Sequence, residues 1–271
     1  MMRKIRTALG WRIGVLRDYL RRAPSCLMAG PWLAAALVRG RMRSGAACGM
    51  MHLPLDRNGS RMLSLDANSQ AEIDVFDEVV VRGIYPFDKL PFTPQLIADC
   101  GANIGYFSCL ARVRFPETGI YAWEPDRKNF ARLEQQSILQ SGKTTLTNAA
   151  VSDYQGRVSL SGTGHGCEVK GKSTATEAVD CIDFGVWWRE HVVAGAVLKM
   201  DIEGHENAVL PSLRGSWKSP CAVFLETHAP HGEDGELVKQ LEADGFQVEL
   251  LRSHFLPGDV RVFKEYMALL S

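Results

Sequence analysis

Charge of one sign is not in excess in this chain of 271 residues: 31 basic and 31 acidic side chains cancel, so whole-chain electrostatics names no partner. No two of the 7 cysteines have Cys-x-x-Cys spacing, and their number is odd. A structural zinc site and a disulfide framework are therefore not indicated, and a reducing compartment fits. The longest apolar stretch of the N-terminal arm, Cys26 to Val38, is broken by Gly30 and Pro31. It falls short of the roughly 20 apolar residues that span a bilayer. Positive charge precedes it, as in a secretory leader, but the arginine-rich region is too long for one. A cytoplasmic location is expected. No internal repeat or low-complexity tract is present. Hydrophobic residues make up 46% and charged residues 23%, which are globular proportions.

The neutral total hides a split. From Met1 to Ala46, ten basic residues face one acid, Asp18, so this arm carries +9 and the remainder −9. Ile5, Leu9, Ile13, Leu16 and Leu20 share one helical face, with arginines filling much of the other, and Pro24 ends the helix. A second helix is expected from Pro31 to Arg39. Such a basic amphipathic helix can lie on an anionic membrane, which would place the protein at its inner face. Packing of the stripe onto the protein's own domain is the favoured reading, because any surface helix shows such a stripe.

Arg57-Asn58-Gly59-Ser60 predicts a turn between strands Met51–Leu55 and Arg61–Leu65, and Ala71–Val81 predicts a helix. From Leu96 onward, short apolar strands alternate with helical segments. Strands are expected at Leu96–Ala98, Ile120–Trp123, Thr144–Thr147, Ala196–Met200 and Ala222–Leu225. Helices are expected at Tyr106–Val113, Arg127–Gln140, Glu206–Leu213 and Glu233–Ala243. Alternation of this kind predicts an α/β fold, a doubly wound and mostly parallel sheet covered on both faces. The last two strands, Phe246–Leu251 and Val260–Phe263, are joined by too few residues for a helical crossover and should pair antiparallel. Three regions follow: a helical extension (1–46), a lead-in (47–95) and the main domain (96–271). Gly162–Gly171, holding His165 and Cys167, reads as a mobile loop. Trp187 and Trp188 could flank a sugar ring, but adjacent helical tryptophans more often pack.

The strongest chemical signal is Asp99-Cys100-Gly101-Ala102-Asn103-Ile104-Gly105, which follows a strand and opens a helix. Gly101 and Gly105 allow close backbone approach, and the helix start offers free N–H groups. Glu124 ends the next strand, where an acid can bind ribose hydroxyls. The dinucleotide fingerprint G-x-G-x-x-G is absent. An acid at the strand end repels a pyrophosphate and suits a cofactor with a cationic centre and an amino group. S-adenosylmethionine has both. The second signal, Lys199-Met200-Asp201-Ile202-Glu203-Gly204-His205-Glu206, ends the strand expected beside the first. Asp201 should face the same crevice and bind an acceptor or take its proton. Glu203 adds negative charge. Glu206 reads equally well as a helix N-terminal acid. The third signal, Glu226-Thr227-His228, ends another strand, and His228 is a candidate base near neutral pH. Asp201, Glu203, His205, Glu226 and His228 could also build a hard-metal site. Their spacing matches no recognised metal motif, and no metal is expected.

These pieces, in this order, resemble the FkbM family of S-adenosylmethionine-dependent methyltransferases. Val75 to Val80 with Gly83-Ile84-Tyr85 resembles the family's segment before the first core strand. Asp99–Gly105 with Tyr106-Phe107-Ser108 resembles its cofactor loop, Trp123-Glu124-Pro125-Asp126 its ribose acid, and Ala150-Val151-Ser152-Asp153 its segment near the adenine. Leu198–Glu206 resembles its Leu-Lys-x-Asp-x-Glu-Gly-x-Glu motif, and Glu226-x-His228 its later acid–histidine pair. His205 stands where the family usually has a small residue, and Gln136 near a frequent Asn.

The resemblance implies a seven-stranded methyltransferase fold and methyl transfer to a hydroxyl, of glycan or glycolipid sugars or of natural products. It implies a cofactor held by Asp99, Gly101, Ala102, Asn103, Gly105 and Glu124, with Ser152 and Asp153 near the adenine. Asp201, Glu203, Glu226 and His228 are then the catalytic candidates. A nucleotide-dependent oxidoreductase and a non-catalytic docking protein remain the alternatives. Nucleic acid is not an expected partner, since the catalytic half is acidic and lacks the aromatic motif of base methylation.

Overall fold

The computed structural model describes residues 14, 16–23, 31–32, 34–35, 49–140, 142–161, 168–172, 178–228, 235–255 and 262–271. Its centre is a seven-stranded sheet in the order β12-β13-β11-β10-β3-β4-β5. The strands are β3 (Leu96–Cys100), β4 (Gly119–Trp123), β5 (Thr144–Thr147), β10 (Ala196–Met200), β11 (Cys221–Thr227), β12 (Gln247–Phe255) and β13 (Val262–Leu270). β5, β4, β3, β10 and β11 run parallel, while β13 runs antiparallel between β11 and β12. The α/β expectation and the antiparallel closing pair are both met.

Side chains alternate across the strands, and the inner strands β3, β10 and β11 are buried on both faces. Ile97, Val197, Ala222 and Phe224 join one core with the lead-in. Ala98, Leu198, Met200, Val223 and Leu225 join the other. The second core takes in α4 (Phe184–His191) and α6 (Gly235–Ala243). The first receives β1 (Met50–Pro54), β2 (Met62–Asp66), α1 (Gln70–Val75) and a π-helical turn, Phe76–Arg82. The lead-in therefore shares a core with the sheet. β1 and β2 pair antiparallel across the expected turn. Ser69 caps α1 by accepting from the Glu72 amide.

Several expectations are corrected. Ala71–Val81 is α-helical only to Val75, then π-helical, ending at Gly83 with φ 66°. Arg127–Gln140 divides into α3 (Arg127–Glu134) and a 3₁₀ turn, Ser137–Gln140, and Glu206–Leu213 divides into α5 (Glu206–Val209) and a 3₁₀ turn, Leu210–Leu213. A second, four-stranded sheet went unforeseen: β6 (Ala150–Ser152), β7 (Gly156–Ser161), β8 (Glu168–Lys172) and β9 (Val179–Asp183), in the order β6-β9-β7-β8. β8 occupies part of the stretch read as a loop; His165 and Cys167 lie outside the described residues. Trp188 is fully buried, and Trp187 stacks on His191 at 4.4 Å, so both pack.

Most of the N-terminal arm lies outside the described residues, including Ile5, Leu9 and Ile13. Residues 16–22 are helical. Tyr19 is buried against Phe76 at 5.7 Å, and Arg22 donates to the Val81 carbonyl at 2.9 Å. Leu20, assigned to the buried stripe, is exposed. Trp32 is buried and donates to the Pro54 carbonyl. These parts of the arm pack onto the domain. Among the described residues no helix is long and apolar enough to cross a membrane.

Candidate active site

Five parallel strands end at one edge, where an open α/β sheet binds its ligands. The Gly loop leaves β3 there and enters α2 (Tyr106–Arg114) through Gly105 at φ 89°. Gly101 stands at φ 78°, and a Cβ on it would overlap the Asp201 carbonyl oxygen. Only glycine fits so close an approach. Glu124 organises the loop. One carboxylate oxygen accepts from the Asn103 amide at 2.7 Å, the other from the Asp126 amide at 2.8 Å. Burial pushes the Glu124 carboxyl up to about 7, although both N–H donors oppose the shift.

Beneath the loop lies a buried ionic row. Asp99 and Lys199 are paired across β3 and β10, and both are almost fully buried. The Lys199 ammonium lies 3.4 Å from Asp99 and 3.4 Å from Asp201, and donates to the carbonyls of Cys100 and Gly101. Burial works against its charge, but Asp201 and Asp99 overcome that and raise its pKa. Ser108 donates to Asp99 at 2.7 Å. Burial nonetheless raises the Asp99 carboxyl.

His228 gathers the acids. Its Nδ1 lies 3.0 Å from Glu206, and its Nε2 lies 3.4 Å from Glu203, 3.7 Å from Asp201 and 3.8 Å from Glu226. Burial disfavours the imidazolium, but Glu206 first, then Asp201 and Glu226, lift the pKa to about 10. His228, read from sequence as a base, thus carries its proton at neutral pH. Burial raises Glu226 well above the ordinary carboxylate range, with Asp201 adding to the effect. Asp201, Glu203 and His228 also offer ligand atoms within 4.8 Å of one another, a spacing a metal ion could use.

A pH dependence follows. The folded pKa of His228 lies above its ordinary 6.5, so its contribution to stability is complete below 6.5 and is lost as pH rises through about 10. One proton gives a slope no steeper than about 1.4 kcal/mol per pH unit. His228→Asn should lower stability at neutral pH and flatten this decline, read from unfolding midpoints across that window. An unchanged slope would show that His228 is not the titrating group.

The crevice brings together Asp99, Gly101, Ala102, Asn103, Gly105 and Glu124 on its loop side. Asp201, Glu203, Glu226 and His228 stand on the other. Ser152 is fully buried and hydrogen-bonded to His205 at 3.1 Å, while Asp153 is exposed. Lys199 went unassigned in the sequence, although a lone lysine inside a buried apolar strand was the available signal. Glu206, weighed as a helix-start acid, is the first residue of its helix and also accepts from the Ile202 and Gly204 amides and from His228.

Residues 99–248, more than half the chain, match the Methyltransferase FkbM domain. The chain belongs to the FkbM methyltransferase family. The hexuronic acid methyltransferase AglP of Haloferax volcanii is 27% identical over 144 residues, 50% of this chain and 56% of AglP. Methyltransferase sdnD of Sordaria araneosa is 26% identical over 234 residues, 72% of this chain and 90% of sdnD. The crystal structure of methyltransferase FkbM from Methylobacillus flagellatus KT is 16% identical with a TM-score of 0.45, covering 95% of this chain and 58% of that one. This FkbM chain thus spans little more than half the length of AglP and of the M. flagellatus protein.

Residues 99–248 form a methyltransferase domain whose cofactor is S-adenosylmethionine, and the site's own chemistry agrees. Carboxylates close both strand ends beside the loop, suiting a sulfonium and an ammonium. One oxygen of Asp99 is buried with no hydrogen-bond partner among the described residues. Asp99, Asn103 and Glu124 are the groups that would hold the cofactor.

Proposed function

We propose that the protein transfers the methyl group of S-adenosylmethionine to a hydroxyl oxygen, with a sugar as the leading acceptor class. The observation that carries this reading is the position of Asp201. Its backbone carbonyl touches Gly101 of the cofactor loop, and its carboxylate faces His228 and the neighbouring Glu203 and Glu226. Proton-accepting groups thus stand beside the cofactor loop. The hexuronic acid methyltransferase among the relatives supports a sugar. Small hydroxylated natural products are the second acceptor class.

When bound, S-adenosylmethionine supplies a methyl group on a sulfonium, already reactive toward an oxygen in line with it. The chain's own residues must orient that oxygen and remove its proton. Glu226 is assigned the proton, because burial and the neighbouring Asp201 raise its proton affinity above that of an ordinary carboxylate. Asp201, held by Lys199, orients the hydroxyl. His228, held by Glu206, fixes Glu203 and Glu226 as a cation.

Calorimetry separates this reading from a nucleotide-dependent oxidoreductase. S-adenosylmethionine should bind saturably and NAD should not. Glu124→Gln should weaken binding by roughly 10- to 100-fold, the worth of hydrogen bonds to a charged acceptor. Binding of NAD alone, by folded protein, would overturn the assignment. Cofactor binding with no release of S-adenosylhomocysteine on any hydroxyl acceptor would favour a docking protein.

A further inference from the structure

The family match covers residues 99–248, and the lead-in lies N-terminal to it. The lead-in nevertheless reaches the acceptor side of the crevice. Asp99, Lys199, Phe224 and Met267 form one row across four strands. Two residues further along, Asp201 reaches Lys199, and Glu226 is paired with Glu265. Period-two alternation puts Glu226 and Glu265 on the face that carries Phe224.

Tyr85 covers this face. Its ring meets Phe224 edge-on at 5.7 Å and Phe107 edge-on at 4.9 Å. Burial, then the carboxylates of Asp201, Glu226, Asp99 and Glu265, hold its hydroxyl well above the ordinary phenol pKa. It is therefore a neutral donor at the acidic end of the row. The hydroxyl has no hydrogen-bond partner among the described residues. Its backbone is tied down: the Phe87 amide donates to the Tyr85 carbonyl at 2.9 Å, and Gly83 ends the π-helical turn in the left-handed region. Glu78 in that turn binds Arg252, which also lies 2.7 Å from Glu265. A register shift between Leu250 and Arg252 marks a bulge, a device that re-aims a side chain.

Among the described residues, the cations around the crevice already face carboxylates. Lys199 serves Asp99, Asp201 and two carbonyls, Arg252 serves Glu78 and Glu265, and His228 serves Glu206 and its neighbours. An acceptor alcohol meets carboxylates ready for its proton, but its other oxygens need a donor.

We propose that Tyr85 is an acceptor-binding residue: its hydroxyl donates to an oxygen adjacent to the reacting hydroxyl, so the acceptor carries vicinal oxygens. This rests on the proposed O-methyl transfer. The reacting hydroxyl is thereby turned toward Asp201 and Glu226. Donation to the neighbouring oxygen leaves the nucleophilic oxygen's lone pair unencumbered.

The test uses Tyr85→Phe, which keeps the ring on Phe224 and Phe107, with unfolding midpoints confirming the fold. Methyl glycosides of neutral hexoses, and their deoxy analogues lacking one vicinal hydroxyl, are the acceptors. KM for the glycoside should rise roughly ten-fold, as for loss of one hydrogen bond, with cofactor affinity unchanged. Calorimetric binding of the glycoside to protein loaded with S-adenosylhomocysteine should weaken by the same factor. The deoxy analogue that removes the contacted oxygen should be poorer for the parent and equally poor for both proteins. Equal KM values for parent and Tyr85→Phe overturn the Tyr85 assignment alone. A parent protein that binds S-adenosylmethionine but methylates no hydroxyl acceptor overturns the O-transfer reading, and this assignment with it.

Discussion

Replacing Lys199 with methionine should destabilise the protein by about 3–5 kcal/mol, the cost of breaking a buried ion pair from one side. The side chain is 4% exposed, and Asp99 beside it is fully buried. Methionine fills a similar volume but leaves Asp99 facing Asp201 with no cation between them. It also removes the donor to the Cys100 and Gly101 carbonyls, so the cofactor loop loses its floor. Urea unfolding at neutral pH would measure the loss. Adding Asp99→Asn should recover part of it, because the penalty comes from the uncompensated carboxylate and not from missing packing. A Lys199→Met protein within about 1 kcal/mol of the parent, with no coupling to Asp99→Asn, would show that the row contributes little.

Asp201→Asn should instead leave the fold nearly intact and cut methyl transfer by about 10²-fold, the order lost when a group that orients a reactant is removed. The carboxylate is a quarter exposed, so its replacement by an isosteric amide is tolerable. The amide orients the acceptor's hydroxyl less firmly than a carboxylate and no longer balances Lys199. Initial rates of S-adenosylhomocysteine release at saturating cofactor would show the loss in kcat. Full turnover in this variant would remove Asp201 from the acceptor side.

The parallel core was legible because its strands are short apolar runs that bury both faces. Ala196–Met200 was read to the residue. The crevice was legible for a related reason, since strand, turn glycines and strand-end acids are local in sequence. The second sheet was not. β6 is three residues long, β8 is mostly polar, and β7 alternates only through Val158 and Leu160, so no apolar run marked them. Charge state also escaped the sequence. A histidine with four acids around it is set by residues from two separate segments, and no spacing rule gathers those. Gln136 shows the same limit. It stood out only as a departure from the family, yet it is fully buried. It accepts from the Ser64 amide and donates to the carbonyls of Ser64 and Ile104, joining β2 to the cofactor loop.

The overlap that forbids a side chain at Gly101 has a thermodynamic meaning. The loop that would cradle the cofactor and the segment that would cradle the acceptor press backbone to backbone there, and Lys199 grips both. Asn103 and Glu203, one in each segment, both hold left-handed conformations, which Asn tolerates and Glu adopts only at a cost. Neither segment can relax without moving the other. Whatever occupancy of one half does to the free energy of filling the other, linkage requires the factor to be equal in both directions. Cofactor and acceptor would in that sense act as effectors of one another.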